Sequence, residues 1–320
     1  VYFQAAQINN ASMFPPTIQG LWKTDGTLEH TQPVFESDDG FVTAEPQLAK
    51  EGRLYFVGEK EQGETHQKGL WATDGTAAGT VFLNGAAGFD GAVVEQATLA
   101  GEQLVLYSID SDNRYKLWQT VGVGEDGQLE GITQRADLGV NPYPNSNKTI
   151  YQPVGMVNGF FTYLFSIPTI ATIHLWSISE TGEQFDLGMA ERKFAPLGNQ
   201  LYFSSSDETH GSEVFVTAGT PETTHVAFDL AEGGRSSNPG EIARCGERIC
   251  FPADDWVYGV EMWSSAGDRA STTLLKDANT TPYVDTSVYP IVDAGSIAYF
   301  KAYFGSTYGK ELWRTDGTPQ

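Results

Sequence analysis

The sequence predicts an all-β fold made of seven copies of one short module, and three observations carry that expectation. The 320-residue chain is rich in turn formers, with 35 Gly and 15 Pro, and 12% of it is aromatic. A Leu-Trp-x-Thr-Asp-Gly-Thr segment recurs along it. Between recurrences the apolar residues come in short runs bounded by turn residues, which is the pattern of strands and not of helices.

The recurrence sets the organisation. Gly20-Leu21-Trp22-Lys23-Thr24-Asp25-Gly26-Thr27 returns as Gly69-Leu70-Trp71-Ala72-Thr73-Asp74-Gly75-Thr76, and again as Glu311-Leu312-Trp313-Arg314-Thr315-Asp316-Gly317-Thr318. Degenerate copies sit at Lys116-Leu117-Trp118, His174-Leu175-Trp176, Glu213-Val214-Phe215 and Glu261-Met262-Trp263. The anchors are therefore Trp22, Trp71, Trp118, Trp176, Phe215, Trp263 and Trp313, spaced about 48 residues apart.

Each period has one internal order. A short apolar segment such as Tyr289-Pro290-Ile291-Val292 leads through a Gly or Asn turn to an aromatic run such as Leu201-Tyr202-Phe203. A variable loop then leads to the anchor segment. An Asp-Gly hairpin turn returns the chain into a last run, such as Gly79-Thr80-Val81-Phe82-Leu83. Four-stranded units repeated radially make a β-propeller. The expected architecture is one seven-bladed β-propeller over 1–320, with blades near 1–37, 41–85, 92–139, 149–188, 191–230, 240–278 and 288–320. The blades at the two ends are expected to be three-stranded, because the chain opens inside a second strand and stops after the turn that follows a third; the alternative is that flanking sequence completes them.

Charge narrows the partners. With 19 Lys+Arg against 41 Asp+Glu the formal net charge is −22. That field repels phosphate backbones and anionic membrane surfaces, so no nucleic acid and no direct membrane insertion are expected. The long uncharged stretch 149–179 is broken by Pro153 and Pro168 and falls within the repeat, which argues against a membrane span. The start at Val1, without Met, is expected of a processed or trimmed chain.

The Leu-Trp-x-Thr-Asp-Gly-Thr segment, with Glu311 before one copy and Leu275-Lys276-Asp277 closing a later run, resembles the ELWxxDGT-type repeat of secreted bacterial β-propeller proteins. The resemblance spans essentially the whole chain and implies a secreted or cell-surface location. It implies no reaction, because a repeat defines a scaffold and not a site.

The repeated residues are expected to be structural. Asp25, Asp74 and Asp316 would cap their own turns, with Gly supplying positive φ. The anchors would wedge between neighbouring blades. Cys245 and Cys250 flank a four-residue loop between two strands, so a disulfide is expected there, in keeping with an extracytoplasmic chain. Asp110, Asp112 and Asn113 alternate oxygen ligands as calcium loops do, but without the Gly and distal Glu of an EF-hand. Calcium is the one cofactor that enters the expectation, and otherwise none is expected.

Function is expected on the variable loops, which share one face opposite the repeated turns. The loops richest in aromatics beside carboxylates supply Asp254, Asp255, Trp256 and Tyr258, then Tyr283 and Asp285, then Tyr303 and Tyr308. Trp256 is the tryptophan outside the anchor set. Aromatic faces beside carboxylates suit a sugar or a basic peptide. The expected function is accordingly a non-catalytic extracellular module that binds a glycan or a protein partner. Two alternatives stand beside it: an architectural unit of a larger multidomain surface protein or assembly, and a polysaccharide lyase or hydrolase using His66 or His210. The chain has no Gly-x-Ser-x-Gly, zinc motif or phosphate loop, and no catalytic residues are assigned.

Overall fold

A computed structural model of the chain describes residues 2–6, 19–35, 40–62, 65–84, 92–100, 103–120, 122–124, 129–140, 151–167, 172–191, 194–277, 288–303 and 310–319. Among them the regular structure is strand, apart from one 3-10 turn at Pro221–Thr223. The strands form seven principal antiparallel sheets, each a meander in which sequence neighbours are sheet neighbours. Sheet 1 holds Tyr2–Ala6, Gln19–Lys23 and Gln32–Pro33. Sheet 2 holds Phe41–Lys50, Arg53–Gln62, Thr65–Thr73 and Val81–Phe82. Sheet 3 holds Val93–Ala100, Gln103–Ile109, Arg114–Thr120 and Thr133–Val140, and a ribbon of Gly122–Val123 with Leu129–Glu130 interrupts its last connection.

Sheet 4 holds Tyr151–Val157, Phe160–Ile167, Thr172–Ile178 and Gln184–Met189. Sheet 5 holds Phe194–Leu197, Gln200–Asp207, Gly211–Thr217 and His225–Phe228. Sheet 6 holds Ala243–Cys245, Arg248–Asp254, Val260–Ser265 and Thr273–Lys276, and sheet 7 holds Val288–Asp293, Ala298–Tyr303 and Lys310–Thr315. Sheets 1–3 lie in one compact unit, Val1–Asn147, and sheets 4–7 in a second, Lys148–Gln320.

One register recurs in all seven sheets. The anchor faces the aromatic run of the preceding strand: Phe3 opposite Trp22, Phe56 opposite Trp71, Leu106 opposite Trp118, Tyr163 opposite Trp176, Phe203 opposite Phe215, Phe251 opposite Trp263 and Phe300 opposite Trp313. Because strand side chains alternate between faces, this register puts the anchor on one face and its Leu, Val or Met neighbour on the other. Within each unit, consecutive sheets pack face to face through that alternation. Trp71 packs with Leu21 of sheet 1, Trp118 with Leu70 of sheet 2, Phe215 with Leu175 of sheet 4, and Trp263 with Val214 of sheet 5. Trp313 packs against the cluster that holds Met262.

The indole N–H is satisfied at an equivalent place in three sheets. Trp71 donates to the Gly58 carbonyl at 3.3 Å, Trp118 to Ser108 Oγ at 2.7 Å, and Trp263 to the Ala253 carbonyl at 3.1 Å.

The turns after the anchors are built from side-chain hydroxyls. The glycine N–H donates to a hydroxyl two residues earlier: Gly26 to Thr24, Gly75 to Thr73, Gly219 to Thr217, Gly267 to Ser265 and Gly317 to Thr315, all at 2.9–3.0 Å. Asp25, Asp74 and Asp316 each accept from the backbone and hydroxyl of the threonine two residues on. Those bonds hold the three carboxyls below the usual carboxylate range, with the threonine hydroxyl as the largest cause. Where Ala218 and Ala266 replace the aspartate, the turn persists, because the hydroxyl-to-glycine bond persists.

The turn glycine has φ of +93° at Gly75 and +103° at Gly219, a region costly for residues with a Cβ. Its carbonyl also ties neighbouring sheets together. Lys23 Nζ donates to the Gly75 carbonyl, Ser177 Oγ to that of Gly219, and Ser264 Oγ to that of Gly317, each at 2.6 Å.

Cys245 and Cys250 form a disulfide with a Cα–Cα distance of 5.9 Å, buried within sheet 6 and its contact with sheet 7. Among the described residues, no helix is long and apolar enough to cross a membrane.

Candidate functional site

The strand connection from Arg248–Asp254 to Val260–Ser265 carries the most exposed aromatic cluster of the described residues, Trp256-Val257-Tyr258. Its shape follows from two aspartates acting on the backbone. Asp254 Oδ1 accepts from Trp256 N at 2.7 Å, and Asp255 Oδ1 accepts from Val257 N at 3.0 Å and Tyr258 N at 2.9 Å. These bonds hold Trp256 at φ +65°, an uncommon conformation for a bulky side chain. Trp256 is 49% exposed, yet it is fixed at two points. Its indole N–H donates to the Ser236 carbonyl at 3.0 Å, and the Arg235 guanidinium carbon lies 5.5 Å from its ring centre.

The segment that presents Arg235 and Ser236 is anchored from below by Glu213, which is fully buried. Glu213 accepts from the N–H groups of Leu230, Ala231 and Ser237 at 3.2, 3.4 and 3.0 Å, and from the Ser237 hydroxyl at 2.6 Å. Burial raises its carboxyl above the usual range, and the four donors oppose that rise. Ser212 N donates to Ser236 Oγ at 2.9 Å, and Asp229 Oδ2 accepts from Gly233 N at 2.9 Å. Glu213, Arg235 and Ser236 escaped the sequence reading. The available signal was the glutamate that opens three of the anchor copies, Glu213, Glu261 and Glu311.

The structure brings Asp254, Asp255, Trp256 and Tyr258 into one turn. One oxygen of each aspartate shapes that turn. Tyr283, Asp285 and Tyr308 lie outside the described residues. Tyr303 ends the second strand of sheet 7, and its side chain lies outside them also.

Asp110, read from sequence as a calcium ligand with Asp112 and Asn113, spends both oxygens on its own neighbours. Oδ1 accepts from Asp112 N at 3.0 Å and Arg114 N at 2.9 Å, and Oδ2 pairs with Lys116 Nζ at 3.0 Å. The result is a capped hairpin turn, with Asn113 at φ +60°. Among the described residues, no group of three or more His, Cys, Asp or Glu side chains is placed to hold a metal ion.

His210 pairs with Asp207 at 2.9 Å, and the hydrogen bond to that carboxylate raises its pKa. His66 lies in a strand, 3.5 Å from Glu59 and 3.7 Å from Glu61.

No protein-family model matches the chain and no curated protein sequence is significantly similar to it. Solved structures do match. A structure from a study of two prolyl endopeptidases, concerned with inter-domain dynamics in catalysis and specificity, is 11% identical with a TM-score of 0.51, over 99% of this chain and 47% of that one. The acylaminoacyl peptidase of Pyrococcus horikoshii is 11% identical with a TM-score of 0.49, over 88% and 46%. The β-propeller domain of the Trilobed protease of Pyrococcus furiosus is 10% identical with a TM-score of 0.45, over 94% and 92%.

The chain is all-β and matches a β-propeller domain among solved structures, and it spans about half the length of the peptidases it matches. These matches correct the expectation of a non-catalytic extracellular module built to recognise a glycan or a protein. The match with a TM-score above 0.5 is to a structure from a study of prolyl endopeptidases, and that is the finding that overturns it.

Proposed function

We propose that the chain is the β-propeller domain of a larger peptidase, and that catalysis resides in another part of the same protein. The observation that carries this is the match of nearly the whole chain to under half of a prolyl endopeptidase structure. The residues agree with a non-catalytic share of such a protein. The sequence holds no Gly-x-Ser-x-Gly, and His30, His66, His174 and His210 each pair with a carboxylate. In this reading the propeller conditions access to the catalytic part, in line with the importance of inter-domain dynamics in the prolyl endopeptidases.

Within it, the seven principal sheets are the seven blades of one domain, built on a repeat of the ELWxxDGT type. The buried disulfide favours an oxidising, extracytoplasmic location. Nucleic acid is not a partner in this reading, given the net charge of −22.

The test is to express the whole polypeptide that contains this chain and treat it with a fluorophosphonate probe and chromogenic peptide substrates. The expected result is peptide hydrolysis, with the label on a serine outside residues 1–320. A whole polypeptide that neither labels nor cleaves peptides overturns the proposal.

A further inference from the structure

The strap that leads from sheet 5 to sheet 6, residues 229–237, hangs on one carboxyl that can change its charge. Glu213 is fully buried, and its partners are all hydrogen-bond donors: Ala231 N and Ser237 N on Oε1, Leu230 N and Ser237 Oγ on Oε2. Leu230 and Ala231 are 4% and 2% exposed, so their N–H groups have this carboxyl where water would otherwise serve. The far end of the strap carries Ser236, whose carbonyl accepts from the Trp256 indole at 3.0 Å, and Arg235, which lies over that ring. The charge on Glu213 is therefore coupled to the exposed Trp256 turn through one short segment.

The network has a place for a proton. Ser237 Oγ lies 2.6 Å from Glu213 Oε2 and 3.4 Å from the Ser212 carbonyl. With Glu213 ionised, the Ser237 hydroxyl donates to it. With Glu213 neutral, Oε2 donates to Ser237 and the hydroxyl turns to Ser212, while Oε1 keeps Ala231 N and Ser237 N. Neutralisation also removes the cost of a buried charge that is matched only by dipoles within hydrogen-bonding distance. The equivalent tie in sheet 2 holds no such charge. Gly69 stands where Glu213 does, two residues before the anchor, and Asn84 takes over: its Oδ1 accepts from Leu70 N and its Nδ2 donates to the Ala92 carbonyl, both at 2.6 Å. An amide makes that tie at every pH, and a carboxyl does not.

We propose that Glu213 and Ser237 form a proton-sensitive latch: with Glu213 neutral the strap is held and Trp256 is pinned, and ionisation of Glu213 loosens both. Burial places the carboxyl above the usual glutamate range, in keeping with a closed strap that favours the neutral form. By linkage the latch contributes its stability below the ordinary carboxylate range and loses it as pH rises through the raised value. Asp207 and His210 lie at the connection before the Glu213 strand, and Asp229, Glu232 and Arg235 lie on the strap. Asp254 belongs to the next sheet, where its N–H donates to the Ser237 carbonyl at 2.9 Å. The carboxylates of this set favour neutral Glu213, and Arg235 favours the ionised form. His210 acts with Arg235 while it is charged, and its pairing with Asp207 keeps it charged to higher pH than usual.

The experiment follows amide exchange at Leu230 and Ala231, and indole N–H exchange at Trp256, by NMR between about pH 5 and about pH 8, with each rate divided by that of an unfolded chain at the same pH. Leu70, tied by the amide of Asn84, is the reference within the same molecule. Protection of Leu230, Ala231 and the Trp256 indole is expected to fall about tenfold toward the alkaline end, in step with the ionisation of Glu213 read from its carboxyl carbon, while Leu70 stays level. Glu213→Gln, whose amide bonds as the neutral carboxyl does, is expected to remove the fall, and His210→Gln to keep it. Level protection at Leu230 and Ala231 in the parent overturns the proposal. So does protection that rises with pH, which would make the carboxylate the holding form, or a fall that survives Glu213→Gln. A fall that is lost with His210→Gln puts the switch on the histidine and overturns it equally. If Glu213→Gln does not fold, the carboxyl titration of the parent decides: a Glu213 midpoint outside the pH range of the fall overturns the proposal.

Discussion

An indole hydrogen bond separates Trp71, Trp118 and Trp263 from the phenylalanine anchor Phe215. Phe215 keeps the packing of the tryptophans, clustered with Leu175 and Phe203, but has no N–H to place. Trp118 donates to the hydroxyl of Ser108, which is itself fully buried. Trp118→Phe is therefore expected to cost about 1–2 kcal/mol in urea unfolding, since it strands a buried hydroxyl as well as shrinking the ring. Trp71→Phe, whose bond to Gly58 is 3.3 Å, is expected to cost less, and the reverse order would contradict the role given to the indole. The turn aspartates make a second residue-scale prediction. Threonine hydrogen bonds depress the folded pKa of Asp25, Asp74 and Asp316, so their stabilisation is present above the unfolded carboxylate range and disappears as pH falls through the depressed folded values. Asp74→Asn should lower Tm at neutral pH, and the gap from the parent should close in acid. A gap that widens on acidification would show that the carboxylate is not the stabilising form.

At the scale of the element, sheet 6 shows how far the sequence carried. Its disulfide followed from two cysteines placed at the ends of adjacent strands, and the structure contains it. Reduction opens a ring of only a few residues, so by the loop-entropy account it is expected to cost about 2 kcal/mol. A thermal melt with and without reductant measures this, and an unchanged Tm with both thiols confirmed free would mean that burial alone holds the hairpin. The repeat was legible because anchor, turn and aromatic run are local and periodic. What the sequence hid was the hydroxyl seven residues past the turn, which holds even where Ala218 and Ala266 replace aspartate. Also hidden was the second partner of each side chain in the Trp256 turn. The contacts of Asp254 and Asp255 with backbone N–H groups two and three residues on depend on the turn conformation, which composition does not specify. Trp256 looked unattached because Arg235 and Ser236 lie twenty or so residues away and are set in place by Glu213, a buried carboxyl whose hydrogen-bond donors come together only in three dimensions.

For the whole molecule, the dominant electrostatic quantity is the excess of 41 acidic over 19 basic side chains. Two effects of salt compete. Screening weakens exposed pairs such as Arg114 with Asp137 and Arg244 with Glu247, each worth about 0–1 kcal/mol. Screening also weakens the mutual repulsion of the unpaired carboxylates, which is spread over the surface and favours the expanded chain. Repulsion is expected to win, because more than half of the acidic side chains have no basic residue to match them in number. Raising salt from about 0.01 to about 0.5 M shortens the screening length from about 30 Å to well under 10 Å, so interactions between distant charges are removed first and close pairs last. Tm is therefore expected to rise steeply over the lower part of that range and then level off. A Tm that falls with salt would place the balance with the ion pairs, and one that keeps climbing in sulfate but not in chloride would trace the effect to ion exclusion and apolar burial instead.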